Sequence, residues 1–476
     1  MKINGLKVIK SFYTTLLLGI LAVSCGQDPI FYIISKETAP IPPRIPGAPT
    51  NMVAFERNYE YLSDPTDPDS ELKTATASLF FVASGRLHWY GRRKDPDEQP
   101  GWDRKVYGIP QPGGKIIALA VTQDRLYALC LNGDSLTATV KYTGHGLNDD
   151  WEKIEGVNEY SLIQSIYADY DTGQLFAGAR KNNAATYAIL YLDGSTLRIL
   201  ESNTEMLSGA AYRDETYYLC TRGKGIFRVT ELGKSSQKVL QLQNIGIGIE
   251  EVANPDEESD TDNTSQTIPS LLGRNNNMLF MGMIRLEDKK SIIAIGRNNG
   301  ILYEILDDDA LLEICKKVGE NNNAYGDYEE LYEKIKEENG GAFSQMSYIN
   351  RNSSIATGNY ATGALALWEE KDGYKKKLVA GRQGTLFSTS YNNGYIEFNL
   401  KADGSIDKEN SNRLMDTVHD TDRYSTNLGK NPINHLYQVP KEVDSDMIFF
   451  ASTQTAGLWS YRDRPGNGGW QWNAEN

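Results

Sequence analysis

Short apolar, β-branched runs alternate with polar turn clusters along most of the chain, and the clearest sample is Ser291 to Leu306. There Ile292-Ile293-Ala294-Ile295 and Ile301-Leu302 flank Asn299-Gly300, a dipeptide that accepts the positive φ angles of a tight turn, so the stretch predicts a β-hairpin. The same pattern returns at Lys376 to Phe387 and, more loosely, at Glu215 to Phe227. A hairpin that cannot bury both of its faces alone must stack on its copies, which makes the chain a repeat array.

Second strands of such units are anchored at Leu79-Phe80, Leu126-Tyr127, Leu175-Phe176, Tyr217-Tyr218, Ile292-Ile293, Leu378-Val379 and Ile448-Phe449. The first four anchors lie 47, 49 and 42 residues apart, the period of propeller blades. Third strands follow at Arg86 to Tyr90, Leu136 to Tyr142, Tyr187 to Leu192, Ile226 to Val229, Ile301 to Leu306, Thr385 to Ser390 and Gly457 to Tyr461. Fourth strands are available at Trp102 to Tyr107, Trp151 to Ile154, Leu197 to Leu200, Val239 to Leu242, Leu311 to Cys315, Tyr395 to Leu400 and Trp470 to Trp472. The expected fold is all-β, a seven-bladed β-propeller over residues 51–476, or eight blades if Phe343 to Thr357 forms a set of its own.

Three long insertions interrupt the period, near residues 243–268, 317–362 and 401–431. The first holds the acidic run Asp256 to Asp262. The second carries Tyr328, Leu331, Tyr332 and Ile335 on one face of a short helix ended by Asn339-Gly340-Gly341. All three are expected to link a fourth strand to the next first strand. They then crowd the face that also carries the tips between second and third strands, and loops on a rigid scaffold are where function concentrates.

On those tips stand Arg180 and Lys181, Arg222 and Lys224, Arg297, and Arg382, in four consecutive units. Guanidinium groups at matching tips can fork onto carboxylate, sulfate or phosphate, so the six are candidate ligand-binding residues. The bland alternative is a set of exposed turn cations, some paired with neighbouring acids. Metal chemistry finds no ligand pattern. Asp416, His419, Asp420 and Asp422 lack the spacing of a calcium loop, His88, His145 and His435 are scattered, and His435 on a first strand is expected to line the channel or the core. No Gly-x-Ser-x-Gly elbow, phosphate loop or dinucleotide fingerprint occurs, and no cofactor is expected.

Formal charge is −14, which argues against nucleic acid as a partner. Residues 1–24 read as an export signal, with Lys2, Lys7 and Lys10, an apolar run from Phe12 to Val23, and small residues before Cys25. Losing those three lysines takes the formal charge from −14 to −17. Residues 25–50 then form a tether, with Pro40, Pro42, Pro43, Pro46 and Pro49 favouring extended geometry. Cys130, Cys220 and Cys315 are an odd set in an oxidising compartment, and buried thiols are the simpler reading.

Leu21-Ala22-Val23-Ser24-Cys25 resembles the lipobox of bacterial lipoproteins, with Ala22 where Leu is usual. The resemblance implies cleavage before Cys25 and diacylglyceryl attachment to its sulfur, while Ala22-x-Ser24 also fits ordinary signal peptidase. Tyr90 to Trp102 and Ser460 to Trp470 resemble the Asp-box turns of sialidase-type propellers, with departures in spacing. As a whole the chain resembles lipid-anchored bacterial β-propeller proteins. That implies a cell-envelope protein, periplasmic or surface-exposed, held to the membrane by its lipid alone and acting as a monomer that binds a protein or an anionic glycan. Two alternatives stand beside it: an envelope-assembly scaffold, and a glycan-active enzyme with carboxylates in a central funnel.

Overall fold

The computed structural model describes residues 49–62, 69, 72–92, 102–105, 114–131, 135–140, 151–223, 225–234, 236–240, 280–286, 291–296, 302–305, 343–346, 360–369, 376–383, 394–400, 433–440, 448–453, 457–464 and 469–475. Of the two compact units into which the chain divides, Ile45–Glu475 holds all of these. Among the described residues every regular element is a strand, and every sheet is antiparallel. Residues 1–48, with Cys25 and most of the proline tether, lie outside them.

Consecutive strands pair in chain order. The first sheet joins β1 (Thr50–Leu62), β2 (Leu72–Ala83), β3 (Arg86–Arg92) and β4 (Trp102–Lys105). The second joins β5 (Ile116–Val121), β6 (Arg125–Cys130), β7 (Ser135–Val140) and β8 (Glu152–Ile154). The third holds β9 (Leu162–Ala168), β10 (Leu175–Arg180), β11 (Tyr187–Asp193) and β12 (Thr196–Thr204), and the fourth β13 (Leu207–Arg213), β14 (Thr216–Thr221), β15 (Ile226–Val229) and β16 (Gln237–Leu240). The fifth holds β17 (Phe280–Leu286), β18 (Ser291–Gly296), β19 (Leu302–Ile305) and β20 (Phe343–Met346). The sixth shows three strands, β21 (Tyr360–Glu369), β22 (Lys376–Gln383) and β23 (Gly394–Asn399). The seventh closes the chain with β24 (Ile433–Gln438), β25 (Phe449–Thr453), β26 (Leu458–Arg464) and β27 (Gly469–Ala474).

All seven anchors fall on or directly before a second strand, and most flanking strands lie where the apolar pattern put them. Three assignments are corrected. The fourth strand of the fifth sheet is Phe343–Met346, paired Leu302↔Met346 through Ile305↔Phe343, rather than Leu311 to Cys315. Residues 343–346 therefore seed no additional sheet, and the chain from 306 to 342 joins a third strand to a fourth. That connection leaves from the end opposite the second-to-third tips, so the three insertions do not all leave from the same end of their sheets. The third strand of the sixth sheet is Gly394–Asn399, paired Arg382↔Gly394, rather than Thr385 to Ser390, so Tyr395 to Leu400, expected as a fourth strand, falls on the third. The expected helix near 327–338 lies outside the described residues.

Second strands are apolar on both faces because a sheet covers each side. β25 is buried at all five positions, and Leu175 to Ala179 of β10 are buried too. The core is accordingly divided among the gaps between successive sheets. Phe80, Trp89, Leu119 and Leu126 fill the gap between the first two, Leu129, Ile163, Leu175 and Leu190 the next, and Phe176, Leu207, Leu219 and Phe227 the one after. Trp368, Val379, Leu436 and Phe449 pack the sixth sheet on the seventh. Met52, Leu79 and Phe81 of the first sheet pack with Val439, Ile448 and Phe450 of the seventh.

First strands stand side by side in chain order, β1 beside β5, then β9, β13, β17, β21 and β24, and β24 stands beside β1. Two glycines permit the closest approaches. A Cβ on Gly178 would meet Ser165 Oγ at 2.6 Å and Leu207 Cβ at 2.8 Å, and one on Gly209 would meet the Met283 nitrogen at 2.8 Å. Side chains then bond to the neighbouring backbone. Asn51 Nδ2 donates to the Ile117 carbonyl at 3.2 Å, Ser165 Oγ to that of Leu207 at 2.7 Å, and Arg285 to that of Tyr212 at 3.3 Å. Gln438 makes a two-way amide pair with the Glu369 backbone, at 2.8 and 2.7 Å. At the seam between the last sheet and the first, the Met52 N–H donates to His435 Nε2 at 2.9 Å and the Ala54 N–H to Tyr437 Oη at 2.7 Å.

Candidate functional site

Antiparallel pairing puts the end of each second strand at the same end of its sheet as the start of the first strand, as Thr50↔Val82, Leu162↔Arg180 and Leu207↔Thr221 show. Arg180 ends β10, Lys181 follows it, Arg222 follows β14, Arg297 follows β18, and Arg382 is the penultimate residue of β22. The described ends of β10, β14, β18 and β22 lie at the equivalent end of four neighbouring sheets. Lys224 and Arg297 lie outside the described residues, as does the side chain of Arg382.

Two of the remaining three cations are engaged close by. Arg180 Nε donates to the Ala184 carbonyl at 2.8 Å and so closes its own hairpin. Lys181 Nζ pairs with Glu159 at 2.5 Å and lies 5.9 Å from the centroid of the Tyr160 ring. The hydrogen bond to Glu159, then its charge, raises the lysine pKa. The tip is further clamped to the link that precedes β9. Asn182 Nδ2 donates to the Asn158 carbonyl at 2.8 Å, and Ser161 Oγ donates to Asn182 Oδ1 at 2.7 Å. Glu159 was not legible as a partner of Lys181, because nothing in the spacing of that link shows it folding over the tip.

Arg222 differs. Its backbone N–H donates to the Met206 carbonyl at 2.9 Å, which fixes the base of the side chain against the strand entering the fourth sheet. Its Nε is buried and has no hydrogen-bond partner among the described residues. A buried charged donor without an acceptor is costly to leave unmade. Next to it lie two groups that cannot neutralise it. Burial pushes the Cys220 thiol up to about 12, with Ser208 and then Arg222 pulling the other way. Burial also raises the Tyr167 phenol, again opposed by the charge of Arg222. Both stay neutral at physiological pH and so bring no negative charge to the guanidinium. Chemically a guanidinium can donate hydrogen bonds to an anion, and it is neither a nucleophile nor a proton relay.

Among the described residues no three His, Cys, Asp or Glu side chains gather in a way that could hold a metal ion. Cys130 and Cys220 are both buried. His435, on first strand β24, accepts the Met52 N–H at the seam between the seventh sheet and the first.

No family model matches the chain, and no curated protein matches it. Solved structures do show faint likeness. One is a protein from Lactobacillus plantarum, 11% identical, over 88% of this chain and 95% of that one, with a TM-score of 0.39. A second is a putative 6-phosphogluconolactonase from Bacteroides uniformis, 10% identical, over 89% and 96%, with a TM-score of 0.38. A third is regucalcin, a calcium-binding protein from Agrobacterium tumefaciens, 10% identical, over 48% and 67%, with a TM-score of 0.30. At these scores none of the three supports an assignment of function to this chain.

Proposed function

We propose that the chain is a closed seven-bladed β-propeller, lipid-anchored through Cys25 in a bacterial cell envelope, that binds an anionic ligand on the face bearing its second-to-third hairpin tips. The ligand is an acidic protein segment or an anionic glycan. Closure is supported by the cyclic neighbour order of the first strands and by the apolar cluster shared between the first and last sheets. The observation that carries the binding reading is Arg222, whose buried Nε has no partner while the adjacent cations Arg180 and Lys181 are already engaged. Lys224, Arg297 and Arg382 follow or end second strands in the sequence and are kept as further candidate cations.

Arg222→Ser should weaken binding to dextran sulfate or poly-glutamate at least tenfold, since a desolvated charge-assisted hydrogen bond contributes roughly 1.5 to 3 kcal/mol. Arg180→Ser, whose cation serves its own hairpin, should change binding by less than about twofold, in keeping with the small worth of exposed charges. Binding should fall with salt as the Debye length shortens. Equal loss in both variants would reduce the tips to a diffuse field, and no loss in either would dismiss the site. For the anchor, wild type and Cys25→Ser should separate on detergent partition, and equal release into the aqueous phase would rule it out.

A further inference from the structure

We propose that His435 is an acid-sensitive latch on the seam where the first and last sheets meet, releasing the Met52 amide when its ring takes up a proton. The Met52 N–H donates to Nε2 at 2.9 Å, across 383 residues of sequence, so the ring holds its proton on Nδ1 and offers Nε2 as an acceptor. Once Nε2 is protonated, that amide faces a second donor. The Met52 carbonyl lies 3.3 Å from the same nitrogen, so strand and ring must shift to exchange one bond for the other.

Among the described residues no carboxylate is shown against the ring, and only the Met52 carbonyl favours its charged form. Tyr437 stacks on the His435 ring at 6.4 Å, and its hydroxyl accepts from Ala54. β25 places Ser452 opposite His435, and β1 presents Met52, Ala54 and Phe55, with its described acid, Glu56, exposed. From the sixth sheet come Glu369, whose backbone is held by Gln438, and Lys377, which lies 5.3 Å from the centroid of the Trp368 ring. The surrounding cluster is otherwise Leu79, Phe81, Val439, Ile448 and Phe450. Burial accordingly lowers the His435 pKa to about 4.

The sign follows from linkage. The unfolded ring titrates near 6.5 and the folded ring near 4, so the unfolded state binds the extra proton between those values. The contribution to stability is complete above about pH 6.5 and shrinks as pH falls toward 4. Ala54 and Tyr437 supply an internal contrast, because a phenol does not titrate in that window.

Denaturant melts of wild type and His435→Gln between pH 7 and pH 4.5 test the latch, since Gln can accept from Met52 without titrating. The unfolding constant of wild type relative to the variant should rise by up to about tenfold per pH unit below about 6.5, reaching roughly 60-fold between pH 7 and pH 4.5. Hydrogen exchange, corrected for intrinsic rates, should show β1 losing protection in acid before β14. Parallel pH profiles for the two proteins would overturn the proposal. If the variant does not fold, proton NMR of the four wild-type histidines decides. One ring titrating near 4 supports the latch, and four titrating near 6.5 overturn it.

Discussion

Replacing Trp368 by Ala removes the side chain on which the contact between the sixth and seventh sheets converges. Trp368 is 1% exposed. It stacks on Phe449 at 4.6 Å with an interplanar angle of 10°, and meets Tyr461 at 5.0 Å and Tyr395 and Trp472 each at 6.1 Å, all edge-on. Burying about 200 Å² of indole at about 25 cal/mol/Å² is worth about 5 kcal/mol, and large-to-small aromatic substitutions in cores cost about 3 to 5 kcal/mol. Lys377, itself 7% exposed, loses the ring beneath its ammonium as well. The variant should therefore lose about 4 to 5 kcal/mol in guanidinium melts. If Ile45–Glu475 unfolds as one unit, its unfolding entropy of about 2.1 cal/mol/K per residue sums to about 0.9 kcal/mol/K, and Tm should fall by about 5 °C. Trp368→Phe keeps a ring against Phe449 and should lose only about 2 kcal/mol. A loss below about 1.5 kcal/mol for the Ala variant, or equal losses for Ala and Phe, would mean that the aromatic cluster does not hold these two sheets together.

Two further outcomes follow from close packing. Gly178→Ala forces a Cβ to within 2.6 Å of Ser165 Oγ and 2.8 Å of Leu207 Cβ, so it should cost about 1 to 3 kcal/mol in the same melts, and a neutral result would show that the third and fourth sheets are free to separate. Iodoacetamide at pH 8 should leave Cys220 unmodified in the folded protein and alkylate it after denaturation, because the thiol is buried and its pKa is pushed up to about 12; peptide mass spectrometry of the native reaction checks this.

Much of the fold could be read from apolar runs because second strands are enclosed on both faces. Leu175 to Ala179 and Phe449 to Thr453 are buried without interruption, and such runs announce themselves. Edge strands carry no such signal. Phe343–Met346 reads as a polar fragment, and its pairing to β19 depends on where a long intervening segment returns the chain. Thr385 to Phe387 matched the hairpin template at Arg297, yet the register runs from Arg382 to Gly394, where Tyr395 enters the aromatic cluster on Trp368 and Ile396 pairs with Ala380. At the tips, residue type showed where cations stand and not how they are spent. Arg180, Lys181 and Arg222 look alike in sequence, and only the carbonyl of Ala184, the carboxylate of Glu159 and the lack of a hydrogen-bond partner at buried Arg222 Nε separate them. The bonds of Met52 and Ala54 to His435 and Tyr437 leave no local trace at all, because each spans 383 residues.

That span also sets an order of events during synthesis. Each first strand can settle against the one made just before it, so most sheet-to-sheet contacts form as the chain lengthens. The amides of Met52 and Ala54 are the exception, since their acceptors are translated 383 residues later. Until then the inner edge of the first sheet, with Leu79 and Phe81 behind it, has no sheet to cover it. A flexible loop of that length would cost about 5 kcal/mol in closure entropy beyond a constant, a cost that falls as the intervening sheets stack and bring the two ends together. The junction that joins the beginning of the protein to its end is thus the last to be made, and its assembly depends on every sheet between.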